Sequence, residues 1–524
     1  MTTKNAWRLR GANLFVSLVV LLTGSLAIAQ APKAGARKAQ TVEQQGELQL
    51  AAARTNPLQL RQFLKKMPKG ADLHYHLSGG VYAESFLRAA VEDGMCVDVP
   101  KLALMKCPAV GEEWTNIVPA TQVYKNQSLY DGLVNSFSMR SFVPYPGVSG
   151  HDHFFDAFAK FGGTSPAHKP EWVDEAASRA AAQNEQYLEL METPDYSLAQ
   201  RIAQEVGWND DLKHLRDELL AHNLQENVKT AVESFQAIEK KRREIEHCGQ
   251  PGAAEACKVN VRYLCQVLRG KAREAVFAQT LLCFEAAEAD PERIVGLNFV
   301  MPEDGYISMK DYALHMRMVK YLHETYPKVH VTLHAGELAF GLVPPEGLCC
   351  HVRQAVEAGA ERIGHGVDVM YEDRPHELLK EMAAKHVMVE INLTSNDVIL
   401  GVSGKNHPLP LYRQFDVPVA LSTDDEGVSR IDLTNEYVRA VEAYGLKYAE
   451  LKNMVRTGLE HAFLPGPSLW EKRDAFTRVV APCAKDVLGS EKPSGRCAEF
   501  LDSSPKAKQQ WELERRFRVF EAEF

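Results

Sequence analysis

Residues 71–77 read Ala71-Asp-Leu-His-Tyr-His-Leu77. In a β-strand alternate side chains share a face, so His74 and His76 point one way while Leu73, Tyr75 and Leu77 point the other. Two imidazoles presented together suit one metal ion. With 18 histidines in the chain such a pair also arises by chance, and His151-Asp-His153 is a second instance. That pair precedes the helix-like run Phe154-Phe-Asp-Ala-Phe158, and helix residues two apart diverge by roughly 200°. It therefore reads as structural or as part of a lid, and the first pair requires partners from later in the chain.

Working outward, strand-length apolar runs recur at 186–192, 259–267, 294–301, 329–334, 362–365, 387–393 and 417–423, which with 71–77 makes eight. Amphipathic helical stretches lie between the later ones, at 309–326, 352–358, 375–385 and 433–444. Strand and helix in alternation predict a parallel α/β sheet, and eight units predict a closed (β/α)8 TIM barrel. The interval from His74 to Asp424 exceeds the ~250 residues typical of that fold. Helical insertions are accordingly expected after strands one and two, at about 80–182 and 197–258. The first holds Cys96, Cys107 and an aromatic run from Trp114 to Phe161. The second holds a charged helical stretch at 212–246, in which Lys240-Lys-Arg-Arg243 reads as a solvated face. The barrel domain is expected over 56–465, opening on a short helix with Pro57 at its first position, and a C-terminal helical extension over 466–524.

Residues 1–29 combine Lys4, Arg8 and Arg10 with a short apolar core and the small-residue end Ala27-Ile-Ala29. That is the pattern of a signal peptide rather than of a membrane anchor. Residues 30–55, rich in Gln, Ala and Lys, read as a tether. The expectation is an exported protein, periplasmic or secreted, with no membrane attachment once the signal is removed. The net charge is −9, and no basic, aromatic-interleaved run appears, so nucleic acid is not an expected partner and a small molecule is. Ten cysteines in an exported chain suit disulfides. Cys96 with Cys107, Cys248 with Cys257 and Cys483 with Cys497 each close a short loop. Cys265 and Cys283 fall in apolar strand-like and helix-like segments and read as buried thiols, while adjacent Cys349-Cys350 stays open.

Active sites of such barrels lie at the C-terminal strand ends. The polar residues fall there repeatedly: His74 and His76, then His334-Ala-Gly-Glu337, Gly364-His365-Gly366, Ser395-Asn396 and Asp424-Asp425. Three neutral imidazoles and a carboxylate suit Zn²⁺ with a position left for water. Residues 294–304 contain no lysine that could bridge a second ion, so one zinc per chain is expected.

In matching order, Met67-Pro-Lys-Gly-Ala-Asp-Leu-His-Tyr-His-Leu77, Thr332-Leu-His-Ala-Gly-Glu337, Arg362-Ile-Gly-His-Gly366, Thr394-Ser-Asn396 and Leu421-Ser-Thr-Asp-Asp425 resemble the adenosine deaminase family of the amidohydrolase superfamily. The export signal, the Met-Pro-Lys-Gly opening and the cysteine-bearing insertion look closest to its secreted branch, the adenosine deaminase-related growth factors. The resemblance implies that His74, His76, His334 and Asp424 hold zinc, that Glu337 faces the purine N1, that His365 faces the attacking water and that Asp425 faces N7. It implies hydrolytic deamination of adenosine or 2'-deoxyadenosine to the inosine product, with a purine nucleoside as the small-molecule partner. Catalysis would rest on Glu337, His365 and Asp424, and substrate binding on Asp425, Met301, Ser78 and His76. Three positions depart from the family pattern: Ser78 for an aspartate that reaches the ribose, Met301-Pro302 for a glycine at the ring edge, and Glu426 for a proline. They leave open a different 6-amino or N6-substituted purine or nucleotide. A non-catalytic binding protein on the same barrel would require loss of a ligand or of Glu337, and none is missing.

Overall fold

Eight strands build a parallel barrel: β1 (Gly70–His76), β2 (Glu185–Glu192), β3 (Asn260–Leu268), β4 (Ile294–Val300), β5 (His330–Ala335), β6 (Arg362–His365), β7 (Met388–Ile391) and β8 (Val419–Leu421). Each expected strand is present, displaced by at most two residues at its start. The computed structural model describes residues 41–109, 111 and 114–524, so the expected signal peptide lies outside the described residues. Val42–Phe524 forms one unit, and no helix among the described residues is long and apolar enough to cross a membrane.

Each strand pairs in parallel with its successor. Between β8 and β1 the link is a single bridge, Tyr75 with Asp424. The His76 N–H donates to the Asp424 carbonyl and the Asp424 N–H to the His74 carbonyl, each at 2.9 Å. Closing the barrel thus sets Asp424 beside both β1 histidines. β2 and β4 are buried at every residue, as expected of a parallel sheet covered by helices. Inside the barrel the Arg362 guanidinium bridges Glu189 and Glu390, each at 2.6 Å. The guanidinium carbon also lies 3.8 Å from the Phe463 ring centroid. A buried cation needs such complete pairing, because removing one partner leaves an unpaired charge and costs several kcal/mol.

The insertion after β1 carries a feature that sequence periodicity did not show. Beside its helices lies a three-stranded antiparallel sheet of Cys96–Asp98, Ala103–Met105 and Ile117–Pro119. Strands of three residues are too short to display alternation. The insertion after β2 is helical, with Leu212–Ala221 and Leu224–Ile245 separated at Asn223, whose φ is 70°. Of the four cations at 240–243, Arg242 is not on a solvated face. It is buried and paired with Glu239 and Glu246.

Residues 42–53, expected within the tether, form a helix. Gly46 packs on the Tyr448 ring, and the Tyr448 N–H donates to Glu47 at 2.8 Å, so docking decides the conformation over composition. Asn56 caps the next helix, Pro57–Lys66, as the Asn-Pro start predicts. The segment after 465 is helical only over Gly495–Ser503 and Pro505–Glu521.

Cys96–Cys107, Cys248–Cys257 and Cys483–Cys497 are disulfides. Cys265 and Cys283, expected as thiols, are also bonded to each other. The helix Arg273–Ala289 folds back on β3 and brings their Cα atoms to 5.5 Å, a proximity that their spacing in sequence does not reveal. Cys349 and Cys350 are bonded as neighbours.

Candidate metal centre and active site

His74, His76, His334 and Asp424 each present one ligand atom, all within 4.8 Å of one another. His76 Nε2 lies 3.2 Å from both Asp424 Oδ1 and His334 Nε2, and His74 Nε2 lies 3.4 Å from Asp424 Oδ1. All four side chains are buried or nearly so. The second pair, His151 and His153, diverges on the helix Gly150–Phe161 as expected. His151 meets Asp304 at 3.0 Å, and His153 faces the Asn135 and Ser138 carbonyls at 3.1 Å.

The outer ring of contacts tests whether these residues fit a cation. His74 Nδ1 donates to the Glu390 carboxylate at 2.6 Å, and His76 Nδ1 to Gln266 Oε1 at 3.0 Å. Gln266 is oriented by its own amide, which donates to Thr193 Oγ1 at 2.8 Å. Asn298 Oδ1 accepts the His334 backbone N–H at 3.0 Å, so the atom is the oxygen and His334 Nδ1 must donate to it at 2.9 Å. All three rings therefore carry hydrogen on Nδ1 and turn Nε2 toward one point. Two unprotonated nitrogens 3.2 Å apart repel, and a cation between them resolves this. Without one, burial opposes protonation of His74 but contacts with Asp424 and Glu390 outweigh it, raising it to about 10. A proton and a metal compete for that nitrogen, which otherwise has no hydrogen-bond partner.

Glu337 sits beyond the ligand set. Burial first, then the Asp424 and Glu303 carboxylates, push its carboxyl well above the usual range, so it keeps its proton. Its position is fixed by Glu303, whose two oxygens accept the Gly336 and Glu337 N–H groups at 3.0 and 2.9 Å. Glu303 itself stays ionised: burial opposes this, but His351 and Arg269 bring it down to about 2. His365 Nε2 lies 3.8 Å from Glu337 Oε1 and 3.9 Å from Asp424 Oδ2. Asp425 is likewise raised, by burial and by Asp424, and its Oδ1 has no hydrogen-bond partner.

Two glycines permit these approaches. A Cβ on Gly79 would fall 1.5 Å from Asp425 Oδ1, and one on Gly364 would fall 2.6 Å from His74 Cε1. Met301, His365 and Asp424 stand at the C-terminal ends of three different strands with φ of 83°, 69° and 65°. Such conformations cost a non-glycine residue of order 1–3 kcal/mol each and gather at functional sites. A cavity of about 510 Å³ opens over the centre. Its polar wall includes His76, Ser78, Gln266, Glu337, Asp424 and Asp425, and its apolar wall Phe154, Phe155, Phe158, Leu268, Val300 and Met301.

The model of the adenosine deaminase family matches residues 171–479, more than half of the chain. This chain belongs to the adenosine deaminase family of the amidohydrolase superfamily. Adenosine deaminases of Escherichia coli strains SMS-3-5 / SECEC and SE11 are each 38% identical to it over 153 residues, 29% of this chain and 42% of theirs. The chain thus spans less than half the length of these curated relatives. The crystal structure of Arabidopsis ADAL complexed with IMP shares the fold at a TM-score of 0.50 and 20% identity, covering 77% of this chain and 94% of that one.

Within this adenosine deaminase-family barrel, Ser78 and Met301 line the cavity, but Glu426 does not. Glu426 is turned into the wall, where it accepts from Arg179 at 2.6 Å and Tyr75 at 3.1 Å. Met301 keeps a left-handed backbone at the position where the family pattern has glycine. Its side chain folds back on Gly270, whose N–H lies 3.3 Å from Sδ. The sequence reading did not single out Gln266, Asn298, Glu303 or Glu390. Each is a polar residue within or just after the apolar run of a barrel strand, and that irregularity is the available signal.

Proposed function

We propose that this protein is an exported, zinc-dependent aminohydrolase that converts adenosine and 2'-deoxyadenosine to the inosine products with release of ammonia. The observation that carries the reading is the convergence of three Nε2 atoms and Asp424 beneath a cavity that also holds two carboxyls biased toward the protonated form, Glu337 and Asp425. Zinc held by His74, His76, His334 and Asp424 would supply Lewis acidity, which brings the pKa of a water toward ~7. Asp424, which stays ionised beside His74, His76 and His365 despite its burial, accepts the proton of the attacking water. Glu337 delivers its proton to the ring nitrogen as C6 becomes tetrahedral. Asp425 Oδ1 offers a polar contact to the other side of the purine, and Phe154, Phe155 and Phe158 give the cavity an apolar wall that excludes water. The export part of the reading rests on residues 1–29 and on the disulfides.

A second reading, removal of a 6-amino or alkylamino group from a purine nucleotide, draws on the IMP bound by Arabidopsis ADAL. No Lys or Arg is present among the described residues lining the cavity, which favours the uncharged nucleoside. Desolvating a phosphate without a cationic partner costs several kcal/mol, and about 1.4 kcal/mol is tenfold in rate. The expected result is therefore a kcat/KM for AMP about 10²-fold or more below that for adenosine. The test is release of ammonia from adenosine, deoxyadenosine, adenine and AMP, and of methylamine from N6-methyladenosine. Turnover of AMP at or above that of adenosine would replace the nucleoside reading with the nucleotide one.

A further inference from the structure

His365 is held from behind by a chain of groups whose direction can be read from one end. The Leu409 N–H, which can only donate, points at His407 Nδ1 at 3.1 Å. His407 is buried, and burial with the nearby Arg439 charge lowers it to about 4, leaving it neutral. Its single proton is then on Nε2, which faces Asn396 Oδ1 at 3.0 Å. That contact fixes the amide, because the atom receiving a hydrogen must be the oxygen. The Asn396 NH₂ therefore faces the ring, at 2.9 Å from His365 Nδ1, and donates to it. Asn392 offers no competing choice, since its nitrogen lies 3.5 Å from both ring nitrogens of His365 alike. Asn396 is fully buried, so no exchange with solvent relaxes the order.

We infer that His407, acting through Asn396, is a positioning residue that fixes His365 in the Nε2–H tautomer, so that His365 meets the oxygen at the metal site as a hydrogen-bond donor and not as a base. This is the opposite polarity to the three ligand histidines, whose Nδ1 atoms carry the hydrogen. Four histidines around one point are thus sorted into three lone pairs and one N–H by whether the group behind each is an acceptor or a donor. Proton removal from the attacking water then falls to Asp424 alone, and His365 stabilises the oxygen that acquires negative charge. The kinetic consequence rests on the proposed hydrolytic function, whereas the tautomer does not.

The test separates the two. In the full-length, zinc-loaded protein labelled with ¹⁵N-histidine, the His365 signals are assigned by their loss in His365→Asn, and the ring nitrogen that bears the proton is read directly. Nε2–H is expected, and Nδ1–H in the parent protein overturns the inference with no need of turnover or of any further variant. Asn396→Asp presents only acceptors and should move the proton to Nδ1. It should also lower kcat about 10–10²-fold with KM changed far less and zinc retained. His407→Gln keeps an N–H donor at the place of Nε2 and should retain at least fivefold more kcat than His407→Leu. Equal losses in those two variants, or a loss of zinc in His407→Leu that parallels the loss of rate, would show that His407 only packs and would overturn the assignment.

Discussion

Glu337→Gln lowers turnover about 10²–10⁴-fold, the effect of removing a positioned general acid, while zinc stays at about one per chain. The amide has the size of the acid and leaves the contacts of the Glu337 N–H with Glu303 untouched, so the backbone has no reason to move. What is lost is the proton that burial and the neighbouring Asp424 and Glu303 carboxylates hold on Glu337. The sign of the pH dependence follows. A raised pKa means that the active, protonated form persists through neutral pH and disappears as pH rises through the raised value. The parent enzyme should therefore show an alkaline limb in kcat/KM, and the residual activity of Glu337→Gln should lack it. Paired pH profiles with elemental analysis decide this. Near-parental turnover in the variant with full zinc would remove Glu337 from the mechanism, even with the barrel and metal site intact.

How far the site was legible in the sequence depended on whether a residue acts locally or across the barrel. His74 and His76 share a face through strand alternation alone, and His334, His365 and Asp424 announce themselves because they terminate apolar runs. The supporting groups were not legible in that way. Glu390 lies six strands after His74 in sequence order yet next to it in space, and Glu303 reaches over to hold the turn after β5. Such contacts depend on barrel closure and on side-chain reach, neither of which periodicity encodes. The same limit explains Cys265 and Cys283. Each was correctly read as buried, but their proximity is a property of how one helix crosses one strand. Glu426 shows the converse: a departure from the family pattern beside the paired aspartates left the substrate open, and the structure turns it into the wall against Arg179.

His334→Ala should lose metal and rate together, and the loss of rate should be about 10³-fold or more, since Lewis-acid activation of water is worth several kcal/mol. His334 is the ligand whose removal is most informative because its backbone is secured independently of its ring. Its N–H is held by Asn298 and its carbonyl accepts from the buried Arg269 at 3.2 Å. The strand should therefore stay in place when the imidazole is removed, and unchanged far-UV circular dichroism would verify it. Asn298→Ala makes a graded comparison. It keeps the His334 imidazole but removes the one oxygen that both fixes its tautomer and accepts its backbone N–H, and loss of such a partner typically weakens metal affinity about 10–100-fold. Zinc titration into the stripped proteins should then rank parent above Asn298→Ala above His334→Ala, and turnover should follow zinc occupancy. Restoring zinc should revive the chelator-stripped parent and leave His334→Ala inactive. A His334→Ala protein that still binds one zinc per chain at parental affinity would mean that the ion is held by a different set of residues, and the centre built on His74, His76, His334 and Asp424 would have to be redrawn.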